Sequence, residues 1–169
     1  TSLPKVYKLD FDYFFMDSIN SYIYKVFDES ITIISKLGSI QLYIVLILAM
    51  YFLGEIEFSL LLTYGLVGIT LIAIPIRLFL FKERPKREKF SNILEKIKAS
   101  SFPSMHSARF SFIMFSVFTY IKSQEFTLFL VGIYVIVCYQ RIHKKRHDIY
   151  DIVGGLILST CIALFLFNL

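Results

Sequence analysis

His147 is followed four residues later by Asp151, inside the segment Arg141-Ile-His-Lys-Lys-Arg-His-Asp-Ile-Tyr-Asp151, which lies between two strongly apolar runs. Where such a segment enters a helix, positions i and i+4 share a face, and the carboxylate can hold the imidazole in one tautomer. Constellations of nucleophile, base and orienting group require this arrangement. Arg141, Lys144, Lys145 and Arg146 stand around the pair and create a field that attracts an anion. The chemistry implied is attack by a histidine on something negative at a membrane surface. Metal binding is the rival reading, because His143 and His147 also have helical ligand spacing. Against it, the flanking cations repel a divalent ion, and only Asp148 and Asp151 are nearby carboxylates. A plain interfacial loop is the third reading.

Two further polar groupings interrupt the apolar sequence. In Arg77-x6-Arg84-Pro85 the spacing is close to two helical turns, so both guanidiniums can point the same way at the end of a membrane span. Converging arginines suit a phosphate, which each can clasp in bidentate fashion; the alternative is two snorkelling side chains that mark the boundary. In Ser101-Phe-Pro-Ser-Met-His-Ser107, Ser104 is a helix N-cap, and the first amides of a helix form an anion site. His106 can there exchange a proton with a bound anion, or be only an interfacial residue at a capped helix start.

These residues must be positioned by membrane helices. Hydrophobic residues make up 56% of the 169-residue chain, above the ~45–50% of soluble domains, so the class is an all-α integral membrane protein forming one domain over residues 1–169. Residues 10–36 place Phe11, Phe14, Phe15, Ile19, Tyr22, Ile23 and Val26 at helical spacing among acidic and basic residues, which predicts an amphipathic helix in the interface. Residues 37–169 then form a bundle of five spans: Leu37–Leu53, Phe58–Phe81 (with Pro75 as a kink), His106–Ile121, Phe126–Gln140 and Asp151–Phe167. A short helix is expected over Ser91–Lys98. Five spans bring the N-terminal helix and the loops 82–105 and 141–150 to one membrane face. The net charge is +5, and the positive residues are concentrated in residues 82–98 and 141–146, which by the positive-inside rule makes that face cytoplasmic. The same charges also serve to bind substrate, so they do not fix topology. Cys138 and Cys161 fall within apolar runs and read as buried small hydrophobes. The N-terminus shows no secretory signal pattern. Nucleic acid is excluded as a partner, since the basic patches sit between spans and lack aromatic stacking platforms.

In order and spacing, the three groupings resemble the type 2 phosphatidic acid phosphatase (PAP2) family, whose pattern is Lys-x6-Arg-Pro, Pro-Ser-Gly-His, then Ser-Arg-x5-His-x3-Asp. The resemblance covers residues 77–155, and the five spans with an interfacial N-terminal helix match its small bacterial members. Three positions depart: Arg77 stands for the Lys, Met105 for the Gly and Gln140 for the Ser. Arg77 keeps the charge, whereas Met105 removes the freest backbone position beside the phosphate.

The resemblance implies that His147 attacks phosphorus, Asp151 orients it, and His106 protonates the leaving oxygen and then activates water. Arg77, Arg84, Ser104 and Arg141 would hold the phosphoryl oxygens, with no metal and no cofactor. It implies a lipid phosphatase of the inner membrane with its site on the periplasmic face, against the positive-inside count. Candidate substrates are phosphatidic acid, phosphatidylglycerophosphate, undecaprenyl pyrophosphate and lipid A 1-phosphate. A lipid phosphotransferase and a non-catalytic anion-binding membrane protein are the alternatives. His143 reads as a solvated neighbour, and Gly154-Gly155 as a place of close helix packing. Lys82, Lys86, Arg87 and Lys89 read either as topology determinants or as a ring recruiting anionic lipid. Nothing in the sequence specifies an oligomer.

Overall fold

The computed structural model describes residues 10–86 and 90–168, with side chains described from Ser21 onward. Among the described residues every regular element is helical: α1 (Asp10–Ser35), α2 (Ile40–Phe52), α3 (Ile56–Phe79), α4 (Ile93–Ala99), α5 (Met105–Ile121), α6 (Gln124–His143) and α7 (Ile149–Phe167). Their starts follow from local chemistry. Ser39, Asn92, Ser104, Ser123 and Asp148 each stand at an N-cap and accept a bond from an otherwise unpaired backbone N–H of the first turn. The short helix in the polar loop, α4, lies two residues from its expected start. α3 continues through Pro75 as one element.

α3, α6 and α7 are long and apolar enough to cross a membrane. α1 and α2, joined by the 3-10 turn Lys36–Gly38 and bent by 56°, make a fourth if the bent pair is one broken span. α5 has 17 residues, which reach about 25 Å at 1.5 Å per residue, short of the ~30 Å hydrocarbon core. The five expected spans therefore all correspond to helices, of which three have the full length of a span. The expected interfacial character of α1 rests partly on Phe11, Phe14, Phe15 and Ile19, whose side chains lie outside the described residues. Of the same face, Tyr22, Ile23 and Val26 are exposed, and α1 packs on α6.

α5 is the centre of the bundle, with α7, α3 and α6 around it. Tyr43, Leu62, Ile69, Ala108 and Phe112 are fully buried there. α5 makes its most extensive contact with α7, and a Cβ added to Gly155 would lie 2.5 Å from the Ser104 carbonyl oxygen. The expected glycine packing is thus met in a direct backbone approach behind the loop that carries Ser104. Polar side chains of α5 are satisfied in pairs on both sides: Ser111 with Ser159 of α7 at 2.5 Å, and Ser107 with Tyr134 of α6 at 2.7 Å. On the outside, Phe52 and Phe79 are each 81% exposed, as lipid-facing side chains are. The two cysteines correct the expectation of burial. Cys138 is only half-buried and Cys161 is exposed.

Candidate active site

Tight turn chemistry places His147. α6 ends at His143, and the chain doubles back through Lys145, which takes the left-handed conformation (φ 53°) usually left to glycine. The backbone N–H groups of Arg146 and His147 then both donate to the Arg141 carbonyl, at 3.1 and 3.2 Å. α7 begins two residues after His147, so His147 and Asp151 do not share a helix face as the spacing alone suggested. A capping box connects them instead. Asp148 accepts from the Asp151 N–H, and the Asp151 carboxylate reaches back to the Asp148 N–H, each at 3.0 Å. That turns Asp151 Oδ2 toward His147, whose Nδ1 lies 3.5 Å away. This distance suits an ion pair and is long for a hydrogen bond; catalytic contacts of this kind commonly tighten only when substrate is bound.

The pair is shut away from solvent: His147 is 3% exposed and Asp151 not at all. Burial holds the His147 imidazole below the usual histidine range; the Asp151 contact pulls the other way, and the Arg141 and Arg84 charges lower it further. His147 is therefore neutral at pH 7. With Nδ1 turned to Asp151, Nε2 is the ring nitrogen that faces away from the carboxylate.

Asp151 also ties the loops together. Its Oδ1 accepts from Lys82 Nζ at 2.8 Å and from Ser101 Oγ at 3.3 Å, and its backbone carbonyl accepts from the Ser104 N–H at 2.9 Å. Ser104 is itself the N-cap of α5, so that bond places the helix start beside the Asp151 backbone. His106, in the first turn of α5, lies near enough to Arg141, Arg109, His147 and Arg146 to feel their charges.

The arginines converge by a route different from the helical one. α3 ends before Arg84, which lies in the loop, yet both side chains reach neighbouring carbonyls. Arg77 donates to Ile97 O (3.2 Å) and Pro103 O (2.7 Å), and Arg84 donates to Lys98 O (2.6 Å). Arg77 Nε and Arg141 Nε are buried and have no hydrogen-bond partner among the described residues. No described hydrogen bond engages the Arg141 guanidinium at all. A buried, unpartnered cation is costly, and an oxyanion is what would satisfy it. Every residue the sequence singled out for chemistry thus lies at one end of the bundle: Arg77, Arg84, Ser104, His106, Arg141, His147 and Asp151.

A family model covers the same part of the chain. The PAP2 superfamily model matches residues 52–169, which hold all three motif segments. The chain belongs to the PAP2 superfamily. Members are generally phosphatases acting on phosphate esters. No curated protein and no solved structure matches the chain significantly.

Several participants in this PAP2 site were not assigned a role by the sequence. Lys82 bridges Asp148 and Asp151 at 2.5 and 2.8 Å, rather than standing free in a basic ring. Arg109 is 6% exposed and donates from Nε to Gly38 O at 3.1 Å, fastening the turn before α2 beneath His106. Asp148 carried one local signal, an acidic residue three before another at a helix start; Lys82 and Arg109 carried none. His143 is not merely solvated: it stacks on Tyr139 and lies 3.4 Å from Asp28, which also pairs with Lys144 at 2.5 Å. These contacts attach α1 to the end of α6. Among the described residues no group of three or more His, Cys, Asp or Glu side chains converges as a metal site. Of the basic loop residues, Lys86 donates its N–H to Lys145 O at 2.9 Å, while Arg87 and Lys89 lie outside the described residues.

Proposed function

We propose that this PAP2 protein is a metal-independent membrane lipid phosphatase that works through a phosphohistidine on His147. The observation that carries the reading is the buried His147–Asp151 pair beside the unpartnered Arg141 guanidinium. His147 Nε2 attacks phosphorus, forming a P–N bond as the bond to the leaving oxygen breaks. Once a phosphate anion offsets the surrounding cations, His106 carries the proton it gives to that oxygen and, now neutral, takes one from the water that cleaves P–N and releases phosphate. Asp151 holds the imidazole and stabilises its charged form. Arg77, Arg84, Arg141 and the helix start at Ser104 stabilise the phosphoryl oxygens, supplying by fixed charge what metal ions supply elsewhere.

A lipid substrate is supported by what lies below the site. An apolar groove of about 650 Å³ runs between α2, α5 and α6, lined by Leu46, Met50, Phe110, Ile113, Val117 and Leu130. Phe110 is one helical turn from His106, so a headgroup in the site can leave an acyl or prenyl tail in the groove. Phosphatidic acid, phosphatidylglycerophosphate, undecaprenyl pyrophosphate and lipid A 1-phosphate all have this form. In the membrane, five spanning segments would set the site at one face, and the family resemblance favours the periplasmic one.

The test is phosphate release in detergent micelles from these four lipids, with EDTA present, by wild type and His147→Ala. The expected result is release that survives EDTA and disappears in the variant. Release abolished by EDTA, or retained without His147, would overturn the mechanism.

A further inference from the structure

Asp151 has more than one partner to obey. Its Oδ2 faces His147 and accepts from the Asp148 N–H, while its Oδ1 is held by Lys82 Nζ at 2.8 Å. Lys82 is held at its backbone and at its ammonium, with its side chain 38% exposed. Its backbone carbonyl accepts from the Ser101 N–H at 2.8 Å, its ammonium also holds Asp148 Oδ2 at 2.5 Å, and it lies 5.9 Å from the centre of the Tyr150 ring. The partners lie 66 and 69 residues away in sequence, so the contact brings the loop after α3 onto the start of α7. It is distinct from the residues proposed above to hold the phosphoryl oxygens, Arg77, Arg84, Ser104 and Arg141.

We propose that Lys82 is a positioning residue for the reaction: clamped between Asp148 and Asp151, its ammonium fixes the rotation of the Asp151 carboxylate that faces His147. The proposal rests on the reading of His147 as the nucleophile. Without the ammonium, Asp151 keeps its capping bond and the longer 3.3 Å bond from Ser101 Oγ but loses the shorter, charged contact on Oδ1, and two carboxylates face each other with no cation between them. A second consequence is electrostatic. The groups that act on His147 are Asp151 from α7, Arg141 from the end of α6, Arg84 from the loop and His106 from α5. Lys82 acts on it through Asp151, offsetting part of the negative charge that the imidazole would otherwise meet in full.

The experiment is the pH dependence of phosphate release from the same four lipids in detergent, for wild type, Lys82→Met, Lys82→Arg and His147→Ala. In Lys82→Met, kcat is expected to fall about 10- to 100-fold, the scale of outer-shell partners, with KM within twofold. The acid limb of kcat/KM should move to higher pH by about half a unit to one unit, because an unshielded Asp151 favours the protonated imidazole. Lys82→Arg keeps the charge in another shape; it should restore the pH profile while leaving kcat several-fold low. A Lys82→Met enzyme with wild-type kcat and acid limb would overturn the proposal, as would a loss confined to KM. If Lys82→Met cannot be recovered as a monodisperse protein, Lys82→Arg decides: a wild-type kcat there reduces Lys82 to a structural staple. Release that persists in His147→Ala would instead remove the underlying nucleophile assignment, whatever the Lys82 variants do.

Discussion

At the scale of single residues, the competition around His147 makes its protonation a measurable quantity. Burial and the neighbouring arginines hold the imidazole below its ordinary value, and Asp151 partly restores it. A histidine that must be neutral to attack is then competent well into mild acid, so the acid limb of kcat/KM should lie below about pH 6.5. The same shift has a stability consequence of defined sign. Because the folded value lies below the unfolded one, the group's contribution is intact above about pH 6.5 and is lost progressively as the pH falls toward the folded value. Asp151→Asn removes the one contact that favours the charged imidazole and leaves the wrong tautomer free to form. Its kcat should drop by about 10²–10⁴-fold, and its acid limb should move further down in pH. The Lys82→Met profile is expected to move the other way. A pH–rate series on the two variants separates these roles, and shifts of the same sign would contradict this electrostatic ordering.

At the scale of elements, what the sequence disclosed depended on how local the determinants were. The helices came close to their expected limits because hydrophobic runs and capping residues lie within a few positions of the ends they set. α6, expected over Phe126–Gln140, extends instead over Gln124–His143, since Ser123 caps it and the basic last turn is still helical. Two correct groupings had incorrect local reasons. Arg77 and Arg84 converge through carbonyls of the α4 segment rather than along a helix, and His147 meets Asp151 across a capping box rather than on a helix face. Spacing recognises such groupings because it is constrained by the site, even where the backbone between the residues is not helical. Glycine packing belongs to this scale as well. In Gly155→Ala the added Cβ meets the Ser104 carbonyl and the start of α5, none of which is a flexible side chain end. A destabilisation toward the upper part of the ~1–3 kcal/mol of overpacking is expected, with loss of activity because Ser104 and His106 move. Gly132→Ala, with nothing within 4 Å of the added Cβ, should be neutral or slightly stabilising in a helix interior. Melting temperatures in one detergent compare the two; an equal effect would mean that the α5–α7 contact does not govern stability.

At the scale of the whole molecule, the chain solves one problem: it must hold a strongly charged centre at the end of an apolar bundle without letting that centre into the hydrocarbon. The bundle does so by bringing the starts of α5 and α7 and the ends of α3 and α6 together, then covering them with the described parts of the intervening loop, residues 80–86 and 90–104. That the polar loops share one face followed from counting alternating helices. The ties that make them one site, Lys82 to Asp151 and Arg109 to Gly38, span 69 and 71 residues. Hydropathy has no access to contacts at that separation, and so the sequence named the charged centre without its supports. The groove under His106 was hidden for the same reason, being made of ordinary apolar side chains from three helices. It gives the last prediction. If a lipid tail lies there, Leu130→Trp should fill part of the groove and act on the tail alone, since Leu130 is remote in sequence from the charged groups. KM for long-chain phosphatidic acid should rise about tenfold, the scale of losing one or two buried methylene contacts, with kcat unchanged. Hydrolysis of a dihexanoyl analogue, too short to reach Leu130, should be unaffected. Equal changes for the two chain lengths would place the tail outside this groove, against the lipid-facing surface of the bundle.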